Sequence, residues 1–462
     1  MTSLARALAL PLAIVTAPLS AQQLSPAEIA EVGKLVTTTL AETGVPSATV
    51  AVVRGGELVF TRAYGKQSDR GGAPDPNAPQ PIASVSKQFT AAALLLLEDE
   101  GKLSLDDTVA KHLPGVTGGD RITIRQLLSH TAGLQDYWPQ DYSFAAMEKP
   151  VAPQGILARW ASKPLDFAPG TQWQYSNTGY TAAGLIAEKA AGKPLLAFME
   201  ERFFRPLRLR VVDQDRAIGP GFAQGYERAA LGPVRPVRQA APGWMYATGH
   251  LAMSAGDLAR WNIARMDRTV LPMEDWAAQE SPIRLADGTS TGYGLGVFAG
   301  TRDGRRFVQH DGVAVGFLTQ NVVYPDDKAA ITVIINGDFS NAAPTIAEGL
   351  AKIVLPAPDE TAVTAGARRM FDSLVAGRPD PARLTDNARY YFTPVTLAEY
   401  RTSLAALGAP TGFELARASR LRGGFVNRNY TVTYPTRKLR IITYAEPGAH
   451  GRYEQFLVQP VQ

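Results

Sequence analysis

The chain has no cysteine among its 462 residues. This absence excludes disulfide bonds, thiol catalysis, cysteine-ligated metals and a lipidated cysteine anchor. After the amino terminus there is also no apolar run of the roughly 20 residues that a membrane-spanning helix needs. No integral membrane segment is therefore expected once the amino-terminal segment has been removed.

Charge of one sign is not concentrated anywhere in the sequence. The net charge is only +4, and the longest basic stretches, at residues 368–370 and 436–440, are short. A solvated surface explains such stretches better than nucleic-acid binding does, so no nucleic-acid partner is expected. Apolar residues make up 45% of the chain and charged residues 19%. This balance is typical of a packed globular protein, and the length is sufficient for two domains.

Residues 1–21 have the layout of a bacterial secretory signal. Arg6 precedes an apolar stretch at 7–17, and small residues follow up to Ala21. We predict cleavage after Ala21 and a secreted or periplasmic location. An uncleaved anchor is the alternative, but the apolar stretch contains Pro11 and is short for a membrane span.

The order of helical and strand-like segments predicts an α+β fold. A capping box at Ser25 and Glu28 begins a helix that runs to about residue 42, and a β-hairpin turns at Gly55-Gly56. Residues 103–280 are mostly helical, and strand patterns return only beyond residue 290. Because strands lie at both ends, we predict an antiparallel sheet flanked by helices, with an all-helical lobe inserted.

A second, smaller unit is predicted at the carboxyl end. The stretch 356–366 is rich in small residues and proline, and we interpret it as a linker between domains at 22–355 and 367–462. The second domain is predicted to contain helices followed by a four-stranded antiparallel sheet. Its pattern resembles nuclear-transport-factor-two-like domains, and we expect it to pack against or cover the larger domain.

The chemistry begins with an S-x-x-K sequence, formed by Ser84 and Lys87, just before a strongly apolar helix. Residues three apart lie on one helical face, so the lysine amine can reach the serine hydroxyl. Burial would lower the pKa of Lys87 and allow the neutral amine to accept a proton. A helix cap beside a surface lysine explains this motif alone equally well.

A second motif is Y-S-N, formed by Tyr175, Ser176 and Asn177. A neighbouring lysine ammonium could lower the tyrosine pKa and let it shuttle protons to a leaving group. The asparagine could donate to a substrate and to Lys87. An aromatic turn is the simpler explanation of an isolated tripeptide.

A third motif is H-D-G, formed by His310, Asp311 and Gly312 in a strand-like segment. We interpret Asp311 and Gly312 as substrate-binding, because the glycine would let a substrate approach the strand edge closely. The N–H of Val313 could help to bind an oxyanion. A lone histidine is more often structural.

In this order, the three motifs resemble the serine β-lactamase-like hydrolase superfamily. This group includes class C β-lactamases, DD-peptidases, D-aminopeptidases and family VIII esterases. Further similar stretches are LLSHTAGL, FAPGTQWQYSNTGY, ATGHLAMSAGDLARW and YGLGVF. The resemblance covers about residues 24–355 and its motif set is specific.

The resemblance implies five catalytic side chains, those of Ser84, Lys87, Tyr175, Asn177 and His310. Ser84 would be the nucleophile that accepts the acyl group. Lys87 and Tyr175 would share the general-base and general-acid roles, with the acylation base left open. The backbone N–H groups of Ser84 and Val313 would form the oxyanion hole. No metal ion or organic cofactor is implied.

Asp311 departs from the family pattern, in which K-T-G or H-T-G helps to hold a substrate carboxylate. A carboxylate at this position would repel an anionic terminus. We therefore predict an esterase or D-amino-acid peptidase acting on a small molecule or short peptide. The alternatives are a class C-like β-lactamase or DD-carboxypeptidase, and a non-catalytic penicillin-binding-like sensor. An H-E-x-x-H motif, which would indicate a metallohydrolase, is absent.

Overall fold

The computed structural model describes residues 23–140, 142–219, 221–302, 305–355, 360–417, 419–448 and 451–461. The predicted signal at 1–21 and the first part of the predicted linker lie outside these ranges. Within them, no helix combines the length and apolar character needed to cross a membrane.

The first helix shows how local sequence signals set the element boundaries. Helix α1 spans Pro26–Thr43 and begins with the predicted capping box. The Glu28 N–H donates to Ser25 Oγ at 3.2 Å, and the Ser25 N–H donates to the Glu28 carboxylate at 2.7 Å. Gly44 ends the helix in the left-handed region, at φ 75°.

The other α-helices follow in chain order: α2 Lys87–Asp99, α3 Val109–His112, α4 Ile124–Leu128, α5 Pro153–Trp160, α6 Asn177–Ala191, α7 Leu195–Met199, α8 Ala255–Met266, α9 Met273–Glu280, α10 Ala342–Val354, α11 Glu360–Val375, α12 Asp386–Tyr391 and α13 Pro394–Ala405. The strands are β1 Ser47–Arg54, β2 Glu57–Gly65, β3 Gln80–Pro81, β4 Val211–Asp213, β5 Tyr226–Glu227, β6 Arg235–Pro236, β7 Leu251–Met253, β8 Phe298–Arg302, β9 Arg305–Ala314, β10 Phe317–Tyr324, β11 Ala329–Ile335, β12 Gly412–Leu415, β13 Arg420–Arg422, β14 Phe425–Thr433, β15 Lys438–Ala445 and β16 Tyr453–Pro460.

The central sheet joins distant parts of the chain, as predicted. Its six strands run in the order β2-β1-β11-β10-β9-β8, and every pairing is antiparallel. Side chains alternate along β1, so Val50 packs with α1 and α10, whereas Ala51 packs with the helices on the other face. Helices α2–α9 lie between β2 and β8 in sequence and form the predicted inserted lobe.

Helix α2 is the centre of that lobe and is enclosed on all sides. Every residue from 87 to 97 is buried, including the side chains of Lys87 and Gln88. A helix that is apolar all round belongs in the core. The amine at its first residue is therefore held in a low-dielectric environment by the helix itself.

At the carboxyl end, residues between 367 and 456 form an apolar cluster of their own. The sheet there has five strands, because the first predicted run is split into β12 and β13, which both pair with β14. Helix α11 begins at Glu360, inside the stretch interpreted as a linker. The division into domains at these boundaries stays a prediction.

Candidate active site

Ser84 lies where the central sheet meets the helical lobe. It belongs to a 3-10 turn, Ala83–Ser86, that leads directly into α2. The turn is fixed at its start, because the Ile82 N–H donates to the Leu251 carbonyl at 3.0 Å. Ala83 adopts φ 46°, a conformation rare for a residue with a Cβ atom. The residue before Ser84 is therefore locally strained.

The Lys87 amine makes three contacts, all at hydrogen-bond distance. Its Nζ lies 3.0 Å from Ser84 Oγ, 2.9 Å from Asn177 Oδ1 and 2.9 Å from the Thr248 carbonyl oxygen. The amide and carbonyl oxygens can only accept hydrogen bonds, so each uses one N–H of the amine. A neutral lysine has only two N–H groups, and its lone pair is then left to point at the Ser84 hydroxyl.

Burial favours that neutral form. It lowers the pKa of Lys87 from 10.5 to about 7, against the opposing effect of the Asp136 and Asp311 carboxylates. The predicted direction of the lysine shift is therefore supported by the geometry. At neutral pH a substantial share of the amine is able to accept the serine proton.

Asn177 fixes the lysine and is itself fixed by Asp136. Its Nδ2 donates to Asp136 Oδ2 at 3.2 Å and its backbone N–H donates to Asp136 Oδ1 at 3.0 Å. The amide orientation is thereby determined, with the oxygen toward Lys87. We expected Asn177 to donate to Lys87 and the substrate, but it accepts from the lysine and donates to Asp136.

Tyr175 also lies beside Ser84, with its ring centroid 4.8 Å from the Lys87 nitrogen and its hydroxyl interacting with the serine side chain. The expected lowering of its pKa was wrong. Burial raises the pKa of Tyr175 well above 10, and this outweighs the hydrogen bond with Ser84. The side chain is a neutral phenol at neutral pH and can donate a proton rather than accept one.

His310 lines the same cavity, but both its ring nitrogens are occupied within the protein. Nδ1 lies 2.5 Å from the Asp311 carbonyl and Nε2 lies 2.9 Å from the Tyr293 hydroxyl. Burial lowers the pKa of His310 to about 4, so the ring is neutral at pH 7. The carbonyl must accept from Nδ1–H, and Nε2 then accepts from Tyr293. This arrangement leaves His310 without an N–H for a substrate.

The cavity in front of Ser84 has a volume of 420 Å³. It is lined by Ala83, Ser84, Asp136, Trp138, Pro139, Gln174, Tyr175, Asn177, Met245, Thr248, Gly249, Phe298, His310, Asp311 and Val313. Two of these residues are carboxylates, and none is a lysine or an arginine. Asp311 is exposed in this cavity, whereas Asp136 is engaged by Asn177.

Gly312 has a different role from the predicted one. A Cβ at this position would lie 2.2 Å from the Ile82 carbonyl oxygen and 3.2 Å from Ala83 Cβ. The close approach that requires glycine is therefore made by the turn carrying Ser84, and not by a substrate. Gly312 lets strand β9 press directly against that turn.

We expect Gly312→Ala to destabilise the protein by about 1–3 kcal/mol, because the backbone of the turn must move. Activity should fall with it, since Ser84 is only two residues from Ile82. Urea unfolding would measure the change in stability. Gly33→Ala is a suitable control, because a Cβ there meets nothing within 4 Å. Equal stability of both variants would contradict this role for Gly312.

Sequence reasoning missed four residues that hold the site together: Asp136, Thr248, Tyr293 and His130. His130 Nδ1 accepts from the Ser176 N–H at 3.1 Å, and its ring centroid lies 4.2 Å from that of Tyr175. His130, Thr248 and Tyr293 lie within the stretches that resemble the superfamily, and that resemblance is the sequence signal from which they could have been found. Asp136 lies just beyond one of them, and nothing local marks it.

A buried lysine that contacts a serine at the junction of an antiparallel sheet and a helical lobe defines a serine hydrolase of the β-lactamase-like superfamily. The chain belongs to the Beta-lactamase family, whose model matches residues 32–355. The predicted superfamily and fold class are thereby confirmed.

The chain is similar to several characterised relatives. It is 28% identical over 315 residues to Penicillin-binding protein 4* of Bacillus subtilis, covering 64% of this chain and 70% of that protein. It is 30% identical over 312 residues to D-aminopeptidase of Brucella canis, covering 64% of this chain and 58% of that protein. The chain thus spans less than two thirds of the D-aminopeptidase. A D-stereospecific amidohydrolase from Streptomyces sp. superposes with a TM-score of 0.61 at 27% identity, covering 69% of this chain and 97% of that one.

Proposed function

We propose that the protein cleaves amide or ester bonds through an acyl-enzyme on Ser84, with Lys87 as the acylation base. The observation that carries this proposal is the Lys87 amine, which donates to Asn177 and Thr248 and lies 3.0 Å from Ser84 Oγ. Asn177 and Thr248 accept hydrogen bonds from both N–H groups of the neutral amine, so its lone pair faces the Ser84 hydroxyl. The predicted signal further leads us to propose a secreted or periplasmic enzyme.

In the proposed reaction, Lys87 takes the hydroxyl proton as Ser84 Oγ attacks the substrate carbonyl carbon. The developing oxyanion would be bound by the backbone N–H groups of Ser84 and Val313. Tyr175, a neutral phenol, would protonate the leaving nitrogen or oxygen and regain a proton from the lysine ammonium. Water would then attack the acyl-enzyme in place of the leaving group, and the same proton transfers would run in the reverse direction. We assign His310 a positioning role, through Tyr293.

Asp311 supports a substrate whose acyl group carries a free amine. Its carboxylate is exposed in the cavity that contains Ser84, and that cavity is lined by no lysine or arginine. Such a site attracts an ammonium group and repels a carboxylate near the scissile bond. The D-aminopeptidase and D-stereospecific amidohydrolase relatives favour the D configuration. We therefore propose a D-amino-acid peptidase or amidase in preference to a penicillin-hydrolysing enzyme.

A panel of p-nitroanilides tests this proposal. It pairs D- and L-alanine and D- and L-phenylalanine derivatives, each with a free or an acetylated amine, and adds a p-nitrophenyl ester and nitrocefin. We expect the free-amine D derivatives to have the highest kcat/KM. Preference for acetylated substrates or for nitrocefin would overturn the substrate assignment. It would not contradict the proposed acyl-enzyme on Ser84. Turnover of none of them would favour a non-catalytic binding protein.

Asp311→Asn is expected to reduce the ratio of kcat/KM for free-amine over acetylated substrates about tenfold. This factor corresponds to about 1.4 kcal/mol, a reasonable value for a charge pair in a partly solvated cavity. The asparagine keeps the size of the side chain and removes only the charge. An unchanged ratio would show that the amine is bound elsewhere. Asp326→Asn, in the turn after β10 and outside this cavity, is the matched control.

A further inference from the structure

His130 is a buried titratable side chain that exchanges no proton in the proposed reaction, yet it contacts the segment that carries Tyr175. This segment, residues 172–176, has no helix or strand of its own before α6 begins at Asn177. A side chain on such a segment keeps one direction only where neighbouring residues hold it. The residues that hold the segment therefore decide where the Tyr175 hydroxyl lies.

Both the backbone and the side chain of His130 accept hydrogen bonds from this segment. Its carbonyl oxygen accepts from the Gln174 N–H at 2.9 Å, and its Nδ1 atom accepts from the Ser176 N–H at 3.1 Å. Its ring lies against the Tyr175 ring, with the two centroids 4.2 Å apart and the two planes inclined by 34°. One residue thus holds the residue before Tyr175, the residue after it and the ring between them.

The backbone of His130 is itself held in an unusual conformation. Its φ is 61°, in the left-handed region that residues with a Cβ atom rarely adopt. Such a conformation is unfavourable and persists only where the surrounding structure determines it. Here the Thr131 N–H donates to the Gln126 carbonyl at 3.0 Å, and the Thr131 carbonyl accepts from the Gly170 N–H at 2.8 Å. The strained turn directs both the carbonyl and the ring of His130 toward residues 172–176.

The same contacts require a neutral imidazole. A protonated ring carries hydrogen on both nitrogens, so its Nδ1 atom could not accept from the Ser176 N–H. Burial lowers the pKa of His130 well below 6.5, and the neighbouring Lys87 amine and His310 act in the same direction. The ring is enclosed by the aromatic side chains of Trp173, Tyr175, Tyr180 and Tyr293. The contact with Ser176 is therefore independent of pH near neutrality.

We propose that His130 is the positioning residue for Tyr175 and directs its phenol hydroxyl toward the leaving group of the substrate. The consequence for catalysis rests on the reaction proposed for Ser84, whereas the contacts themselves do not. A general acid is needed when the leaving atom is a poor leaving group, such as the nitrogen of an anilide. It is not needed when the leaving group is stable as an anion, such as p-nitrophenolate. Loss of the contacts should therefore slow anilide cleavage selectively.

His130→Asn separates the ring contact from the hydrogen bonds. The asparagine Oδ1 atom can replace Nδ1 as the acceptor for the Ser176 N–H, and asparagine tolerates the left-handed region. Only the ring against Tyr175 is lost. We expect the ratio of kcat/KM for the p-nitroanilide over the p-nitrophenyl ester of one amino acid to fall at least about tenfold, because part of the general-acid contribution is lost. His130→Phe, which keeps a ring and removes the acceptor, is the second variant and has the same expected direction.

Ser129→Ala is the matched control, because it changes the same turn. The Ser129 hydroxyl is buried and lies 2.9 Å from the Thr131 hydroxyl, so its removal disturbs the turn and should leave the ratio unchanged. An unchanged ratio in both His130 variants, whether or not the two activities fall together, would overturn the positioning role. An equal fall of the ratio in Ser129→Ala would also overturn it, since any disturbance of the turn would then have the same effect.

Nitrogen-15 NMR of the histidine side chains tests the contacts without any substrate. The full-length chain contains five histidines, and the His130 signals are assigned from their loss in His130→Asn. We expect a neutral ring with its proton on Nε2 and chemical shifts that stay constant between pH 6 and pH 9. A ring that titrates in this range, or that carries its proton on Nδ1, would overturn the inference. Absence of Ser84-dependent cleavage of both substrates would instead refute the proposed reaction, and the leaving-group role with it.

Discussion

Replacement of Ser84 by alanine is expected to lower kcat/KM at least about a thousandfold for every substrate that the protein turns over. Ser84 Oγ lies 3.0 Å from Lys87 Nζ and is the atom proposed to accept the acyl group, and the alanine variant lacks it. Intact-protein mass spectrometry provides the direct measurement. A slow ester or phosphonate should add one acyl or phosphonyl group to the unmodified chain and none to Ser84→Ala.

Ser86→Ala is the matched control, because this serine lies in the same 3-10 turn. Its hydroxyl accepts from the Leu251 N–H at 3.2 Å and is fully buried. Removing it should cost about 1–3 kcal/mol of stability through an unpaired N–H, without abolishing the adduct. Adduct formation on Ser84→Ala would identify a different nucleophile and refute the proposed role of Ser84.

The parts of the fold that could be predicted are those determined by near neighbours in sequence. The capping box at Ser25 and the hairpin at Gly55-Gly56 are local signals, and both elements form as expected. The split of the stretch 412–422 into two strands could not be predicted, because it depends on pairing with β14. Strands of two or three residues, such as β3, carry no periodicity at all.

The same distinction applies to the site. The contact between Ser84 and Lys87 follows from an i, i+3 spacing at the start of a helix, and it was predictable. The support of Asn177 by Asp136 depends on how distant loops pack, and no pattern in the sequence indicates it. The pKa of Tyr175 was predicted in the wrong direction, because the degree of burial of a side chain is a tertiary property.

Lys87→Met is expected to lower kcat/KM by a factor of about 10²–10⁴, the usual contribution of a general base. The unmodified protein should lose activity as the pH falls below about 7, roughly tenfold per pH unit, because protonation of Lys87 removes its lone pair. The residual activity of the variant should lack this dependence. A pH profile of kcat/KM on one free-amine substrate measures both effects. An unchanged acidic limb in the variant would assign it to another group.

The same lysine should also be visible in stability. Its pKa is about 7 in the folded chain against 10.5 ordinarily, so between these values the unfolded state binds more protons. The stability of the unmodified protein relative to Lys87→Met should therefore rise with pH across this window, by at most about 1.4 kcal/mol per pH unit. Below pH 7 both states of the chain are protonated, and the difference should level off. Urea unfolding of both proteins at pH 6, 7 and 9 tests this prediction. A stability difference that does not change with pH would mean that Lys87 is charged in the folded protein and cannot act as the base.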